Sequence, residues 1–315
     1  MARCWFVAAL IGIGCAAGGE TENTTSTNAV TGNGGAGGTS TSATGGSTGS
    51  ITVGTGGGGG SNAEGEVYGH SDTQLFKLEP ISKMVTVIGT FDCVTITVPG
   101  FGEGMWDIAI DKDGIMMGTL SKLQNFVQSG ALVTIDKANA HCTVVQTGIY
   151  PNSLTFVPAG TLDPNIEVLV GFNEAEYVRI DRTTGAQTTI GNLNPNPTGQ
   201  DWESSGDVVS IIGDKTYLTV KPFGSGSMYS GSDRIVEIDP LTGQATALIG
   251  DTTYPKLWGL GYWGGTAYGF SATGQLAEID LMTGMAVGIP IADAPPGLAW
   301  WGAGVTTAAP IKPPE

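Results

Sequence analysis

Asp107, Ser153 and Asp207 each stand directly before a short apolar run: IAI, LTF and VVS. Two carboxylates and a hydroxyl brought together would suit a hard cation such as calcium, which takes several oxygen ligands. The same residues have a plainer use, accepting backbone N–H groups where strands begin. A second cluster, Asp201-Trp202-Glu203, sets an aromatic ring between two acids. That pattern suits ligand binding by stacking on a sugar ring while the acids hold its hydroxyls; the other account is an aromatic that plugs the interior or covers a neighbouring element. Asp107, Asp207 and Glu203 are also the candidate catalytic acids for glycoside cleavage, which needs two carboxylates flanking one bond.

Other chemistry finds less support. His70 and His141 lie outside any recognisable Ser or Cys context, and HExxH does not occur. Asp111-Lys112-Asp113-Gly114 opens like a calcium loop but lacks the later acids, and reads as a hairpin turn. A net charge of −16 argues against nucleic acid, whose phosphates need Lys and Arg to release their counterions.

What must position these residues is a repeat. DRTTGAQTTIG from Asp181 returns as DPLTGQATALIG from Asp239 and DLMTGMAVGIP from Asp280, and more loosely from Glu79 and Asp136. These five acids are separated by 57, 45, 58 and 41 residues, and an alternating strand precedes each: LFKL, LVTI, YVRI, IVEI and LAEI. The acid accepts N–H groups ahead of it, and Gly185, Gly243 or Gly284 supplies the positive φ that closes a hairpin. In the copy from Asp136, Asn139 is expected to take that position. Another hairpin lies upstream of each pair, so each unit is four short antiparallel strands, the pattern of a β-propeller blade.

The first unit lacks one strand and the chain has one spare at its end, GLAWWGAGV from Gly297. The reading is therefore all-β: a five-bladed β-propeller closed by the C-terminal strand, which leaves no open edge. Setting the innermost strands on Ile108, Leu154, Val208, Leu260 and Leu298 puts Asp107, Ser153, Asp207, Gly259 and Gly297 at one level near the channel mouth. Trp106, Trp258, Trp300 and Trp301, in or beside apolar strands, read as packing between blades. Cys93 and Cys142 are a possible disulfide, although the repeat sets them at opposite faces unless the loop from Phe91 folds back along the blade edge.

With its Asp-x-x-Thr-Gly hairpins, the chain resembles the β-propeller superfamily and is similar to exported bacterial propellers built of such repeats. The resemblance spans roughly residues 65–307 and implies a fold rather than a function, since propellers serve as hydrolases, lectins, dehydrogenases and scaffolds.

The N-terminus carries an address. In MARCWFVAALIGIGC one Arg precedes an apolar run too short to cross about 30 Å of hydrocarbon but of signal-peptide length. Gly12-Ile13-Gly14-Cys15 resembles a bacterial lipobox, with Gly12 where Leu is usual. The resemblance implies lipidation of Cys15 and, with Ala16 next, the outer membrane; ordinary cleavage after Ala16 is the alternative. Residues 16–64, rich in Gly, Thr and Ser, read as a disordered linker spanning on the order of 40 Å. Residues 65–307 form the propeller and 308–315 a tail. The expected protein is a monomeric, non-catalytic binding or scaffold propeller, periplasmic or at the cell surface. It engages a protein or glycan, holds no cofactor unless calcium, and touches membrane only through its lipid; a carbohydrate-active propeller is the alternative.

Overall fold

Asp181, Asp239 and Asp280 each directly follow a strand and fold the turn that comes next. Asp181 Oδ1 accepts the N–H groups of Thr183 and Thr184 at 2.8 and 2.9 Å; Asp239 Oδ1 accepts that of Leu241, and Asp280 Oδ1 that of Met282. Gly185, Gly243 and Gly284, at φ +71°, +68° and +78°, then donate back to the Asp carbonyl at 2.7 Å. In the two looser copies Lys83 and Ala140 occupy this left-handed position, at φ 61° and 64°. This corrects the assignment to Asn139. The position is fixed four residues after the acid, and the Asn139 side chain instead accepts the His141 N–H at 2.8 Å.

A computed structural model describes residues 66–97, 102–124, 127–226, 228–291 and 294–313. The residues read as a signal peptide, Cys15 and the residues read as a linker to residue 64 lie outside the described residues. Among the described residues there is no helix, and twenty strands form five four-stranded antiparallel sheets. One sheet holds β4 (Gly104–Ile110), β5 (Met116–Gln124), β6 (Val127–Ile135) and β7 (Cys142–Thr147); the next holds β8 (Leu154–Val157), β9 (Val168–Asn173), β10 (Glu176–Ile180) and β11 (Gln187–Asn192). Two more follow: β12 (Trp202–Ser210) to β15 (Ala245–Asp251) through β13 (Thr216–Pro222) and β14 (Arg234–Ile238), and β16 (Leu257–Trp263) to β19 (Ala286–Ile289) through β17 (Thr266–Ser271) and β18 (Leu276–Ile279). The remaining sheet joins both ends of the domain: β1 (Val67–His70), β2 (Gln74–Glu79) and β3 (Met84–Thr90) pair with β20 (Gly302–Val305). The innermost strands β4, β8, β12, β16 and β20 neighbour one another in a ring, so the fold is a five-bladed β-propeller.

The closing strand sits five residues later than the sequence register. β1 pairs Val67 with Val305 and His70 with Gly302, so Ala303 rather than Leu298 is the counterpart of Ile108. The cause is room near the axis. A Cβ at Gly302 would lie 2.3 Å from His70 Nε2 and 2.6 Å from Asp107 Oδ1, so the ring takes GAGV and not the bulkier GLAWW. Trp300 instead fills the seam between the first and last blades, its ring edge-on to Phe76 and Phe270 at 5.0 and 5.1 Å. Residues 308–313, read as a tail, lie against the domain: Ala309 is buried, and Gly264 donates to the Pro310 carbonyl at 2.7 Å.

Cys93 and Cys142 are joined, with Cα atoms 5.5 Å apart. Sheet twist overcomes their expected separation. Successive strands rotate by roughly 20–25°, so an outermost strand is turned well over from the axis and its end reaches the neighbouring blade. The same approach recurs where Asn192, ending β11, donates to the carbonyl of Thr242 in the next blade's turn at 3.1 Å. Beside the disulfide, Asp92 accepts the Cys142 N–H at 2.9 Å and contacts His141 at 2.5 Å.

Candidate functional site

The two carboxylates chosen from the sequence meet at the axis, where they close the hub. Each innermost strand sends one N–H inward. Asp107 accepts those of Ile108 (2.8 Å) and Leu154 (2.5 Å); Asp207 accepts those of Val208 (2.7 Å), Leu260 (3.2 Å) and Ala303 (3.2 Å). Five strands therefore hang on four carboxylate oxygens. Asp107 and Asp207 are 0% and 1% exposed and lie within hydrogen-bonding reach of each other. Burial, then the neighbouring charge of Asp207, pushes Asp107 well above the usual carboxylate range; burial raises Asp207 as well. Adjacent buried acids share a proton rather than both ionising.

His70 is fully buried beside this pair. Its Nδ1 lies 2.8 Å from the Ser71 carbonyl and its Nε2 3.8 Å from Asp107 Oδ1, too far for a hydrogen bond. Burial lowers its pKa to about 4, so it is neutral at pH 7 and forms no ion pair there.

Calcium does not fit this hub. The cation needs lone pairs from several oxygens, whereas here N–H dipoles from all five blades point at the carboxylates. Ser153, at the same level, is buried with its hydroxyl bonded to no protein atom. Glycoside chemistry does not fit either. It needs carboxyls at least about 5 Å apart, open to substrate, while these are sealed and in mutual contact.

The Asp201-Trp202-Glu203 cluster is taken apart by the fold. Trp202 is 1% exposed, its indole N–H on Thr198 Oγ1 at 2.7 Å, and its ring is under the Arg234 guanidinium. No ring face is left for a sugar. Glu203, 4% exposed, clamps the following loop by accepting the Gly224 and Gly226 N–H groups at 2.8 and 2.9 Å, with Lys221 Nζ at 3.5 Å. Asp201 alone is exposed.

What faces solvent at the mouth is aromatic. A cleft of about 210 Å³ is lined by Gly102, Trp106, Asn152, Ser205, Gly206, Trp258 and Trp301. Five of these residues directly precede the residue that the hub levels in each blade: Trp106 before Asp107, Asn152 before Ser153, Gly206 before Asp207, Trp258 before Gly259, Trp301 before Gly302. Bulges aim them. Pairing with the second strand skips Trp106 in β4, Ser205 to Asp207 in β12 and Trp258 in β16. An unpaired bulge residue turns out of the alternating pattern. Trp106 and Trp258 are consequently half-buried, as is Trp301 just before β20, so the reading of all four tryptophans as packing between blades holds for Trp300 alone. The signal was present in the sequence: MWDI, LWGL and WWGA place Trp one residue before the aligned Asp or Gly in three blades.

Beneath the wall, Asp233 is buried beside Ser205, with one oxygen accepting the Leu257 N–H at 2.6 Å. Burial raises its pKa to about 6, leaving it largely ionised at pH 7.

No family model and no curated protein matches the chain. Among solved structures it is similar to an oligogalacturonate lyase in complex with manganese (12% identity, TM-score 0.35), covering 72% of this chain and 62% of the lyase. It is also similar to a PQQ-bound aldose sugar dehydrogenase from Streptomyces coelicolor (11% identity, TM-score 0.40; 71% and 77% covered) and to TolB from Acinetobacter baumannii (13% identity, TM-score 0.37; 77% and 54% covered). At these identities and TM-scores the likeness carries no statement about the function of this chain.

Proposed function

We propose that the chain is a non-catalytic binding propeller, exported and tethered through a lipid on Cys15, that takes its ligand in the tryptophan cleft at the channel mouth. One observation carries this reading: the wall of the mouth presents three half-buried indoles from three blades, while the carboxylates that could do acid–base work are sealed beneath it. Apolar walls with a few polar groups are equipment for holding a small ligand. A proton-sharing acid pair does serve aspartic proteases, but there it faces the substrate. The long Gly-rich segment before residue 65 suits a tether that holds such a domain away from a membrane.

The test is a panel of small sugars, quaternary amines and aromatic acids titrated against the protein, followed by tryptophan fluorescence. At least one class should give a saturable change that Trp301→Ala removes while circular dichroism stays native. A panel that moves neither protein would overturn the cleft as a binding site. Turnover of nitrophenyl glycosides, abolished by Asp207→Asn in a folded protein, would overturn the non-catalytic reading.

A further inference from the structure

If the cleft binds a ligand, as proposed above, its walls specify the kind. Trp258 and Trp301 lie edge to face, their centroids 6.2 Å apart and planes at 80°, and so form two walls of a corner. Trp106 adds a third indole, whose N–H is already satisfied by the Gly102 carbonyl at 2.9 Å, leaving its ring as the surface it offers. Among the described residues, the polar side chains in the lining besides the indoles are Asn152 and Ser205. A sugar ring carries several hydroxyls, each costly to bury without a partner, and two side chains cannot serve them. At about 210 Å³ the cleft admits one compact group, below the range that drug-sized ligands occupy.

Charge narrows the choice to a cation. Asp233 lies beside Ser205; Lys221, shared with Glu203 at 3.5 Å, offsets part of its charge, and Arg234 is engaged with Asp251 at 3.5 Å. The Asp107–Asp207 charge is spread over five N–H donors, so Asp233 and the indole faces supply most of the attraction. One indole already draws a cation: Lys256 Nζ lies 5.9 Å from the Trp258 ring centroid. A primary ammonium keeps water or hydrogen-bond partners. A quaternary ammonium has no N–H to satisfy and gains most from enclosure by aromatic faces. We propose that the cleft binds a small quaternary ammonium ion, its methylated head held in the corner of Trp258 and Trp301 with Trp106 as the third wall.

The full-length protein is titrated with tetramethylammonium and choline, with 3,3-dimethylbutan-1-ol as the neutral twin of choline, and with glucose, read by tryptophan fluorescence and calorimetry. Both cations should bind saturably, and the neutral twin at least about tenfold more weakly, the margin that cation–π enclosure supplies. Trp258→Ala and Trp301→Ala should each lose binding by about tenfold or more with native circular dichroism. Lys256→Met, which removes a competing cation, should tighten choline and leave the neutral twin unchanged. Equal binding of choline and its neutral twin would overturn the cation assignment and leave an apolar binding cleft standing, as would tryptophan-dependent binding of glucose alone. If none of the four probes binds, the quaternary ammonium assignment fails, and the wider panel above separately decides whether the cleft binds anything.

Discussion

Asp107 and Asp207 were legible as a pair that the fold brings together, because both precede apolar strands at one level of the repeat. Their use was legible only as two alternatives, since the sequence does not show whether N–H groups or a ligand will face an acid. The arrangement makes a pH prediction whose direction follows from burial. Unfolded aspartates titrate near 3.9. In the fold Asp107 is raised by burial and by Asp207, and Asp233 is raised to about 6 by burial. A raised carboxyl holds its proton more tightly when folded, so its contribution is fully present below about pH 4 and is lost as pH climbs through the folded value. Asp233 alone should forfeit on the order of 3 kcal/mol between about pH 4 and 6. Glu66 works the other way. Although its burial opposes it, Lys137 and Lys77 hold it at about 2, and its gain is complete by about pH 5. His70, lowered to about 4 by burial, also works the other way, gaining stability from about pH 4 to 6.5 and offsetting Asp233 over that span. Urea unfolding should therefore show Asp233→Asn turning the span from about pH 4 to 6 into a clear rise of stability, and Asp107→Asn removing a fall with rising pH. A stability that rises steadily from pH 5 to 8 would contradict the raised values. Asp207→Ala should cost about 3 kcal/mol or more at any pH, because it strands three buried N–H groups.

Strands and hairpins were the most readable level, since period-two alternation and Asp-x-x-Thr-Gly turns each have a local cause. Bulges and blade twist were not, because both arise from how strands lie on their neighbours. That is why the tryptophan wall escaped notice: a continuous alternation sends Trp106 and Trp258 into the seams, and one skipped pairing sends them to the mouth. Twist likewise decided the disulfide, by carrying the end of β3 over to the start of β7. That bond joins adjacent blades at their rims across a sequence separation of 49, which by loop-closure entropy corresponds to about 4 kcal/mol. Cys93→Ser with Cys142→Ser, or simple reduction, should lower the unfolding midpoint by several degrees without changing strand content by circular dichroism. An unmoved midpoint would mean that the bridge closes a loop the unfolded chain already keeps short.

Closure belongs to the molecule as a whole, and β20 carries it. The strand pairs with β1 to finish a blade begun at the other end of the domain, and supplies the fifth N–H to the hub through Ala303. The residues just before it bring one wall of the cleft in Trp301 and a seam between blades in Trp300. Fold, core and site thus depend on where this segment docks. Two registers of GLAWWGAGV present similar apolar patterns, and what separates them is space at the axis, a property of five blades together and of none alone. Two glycines distinguish them experimentally. In the observed register Gly302 faces His70 and Asp107 with no room for a Cβ, whereas Gly297 has nothing within 4 Å of that position. Gly302→Val should therefore cost about 3 kcal/mol or more through overpacking at a sealed hub, and should loosen the cleft with it. Gly297→Val, whose penalty is confined to a left-handed backbone at φ +75°, should cost about 1 to 3 kcal/mol and leave ligand binding intact. Measured by chemical denaturation, the reverse order would move the closing strand back by five residues and take Trp301 out of the wall.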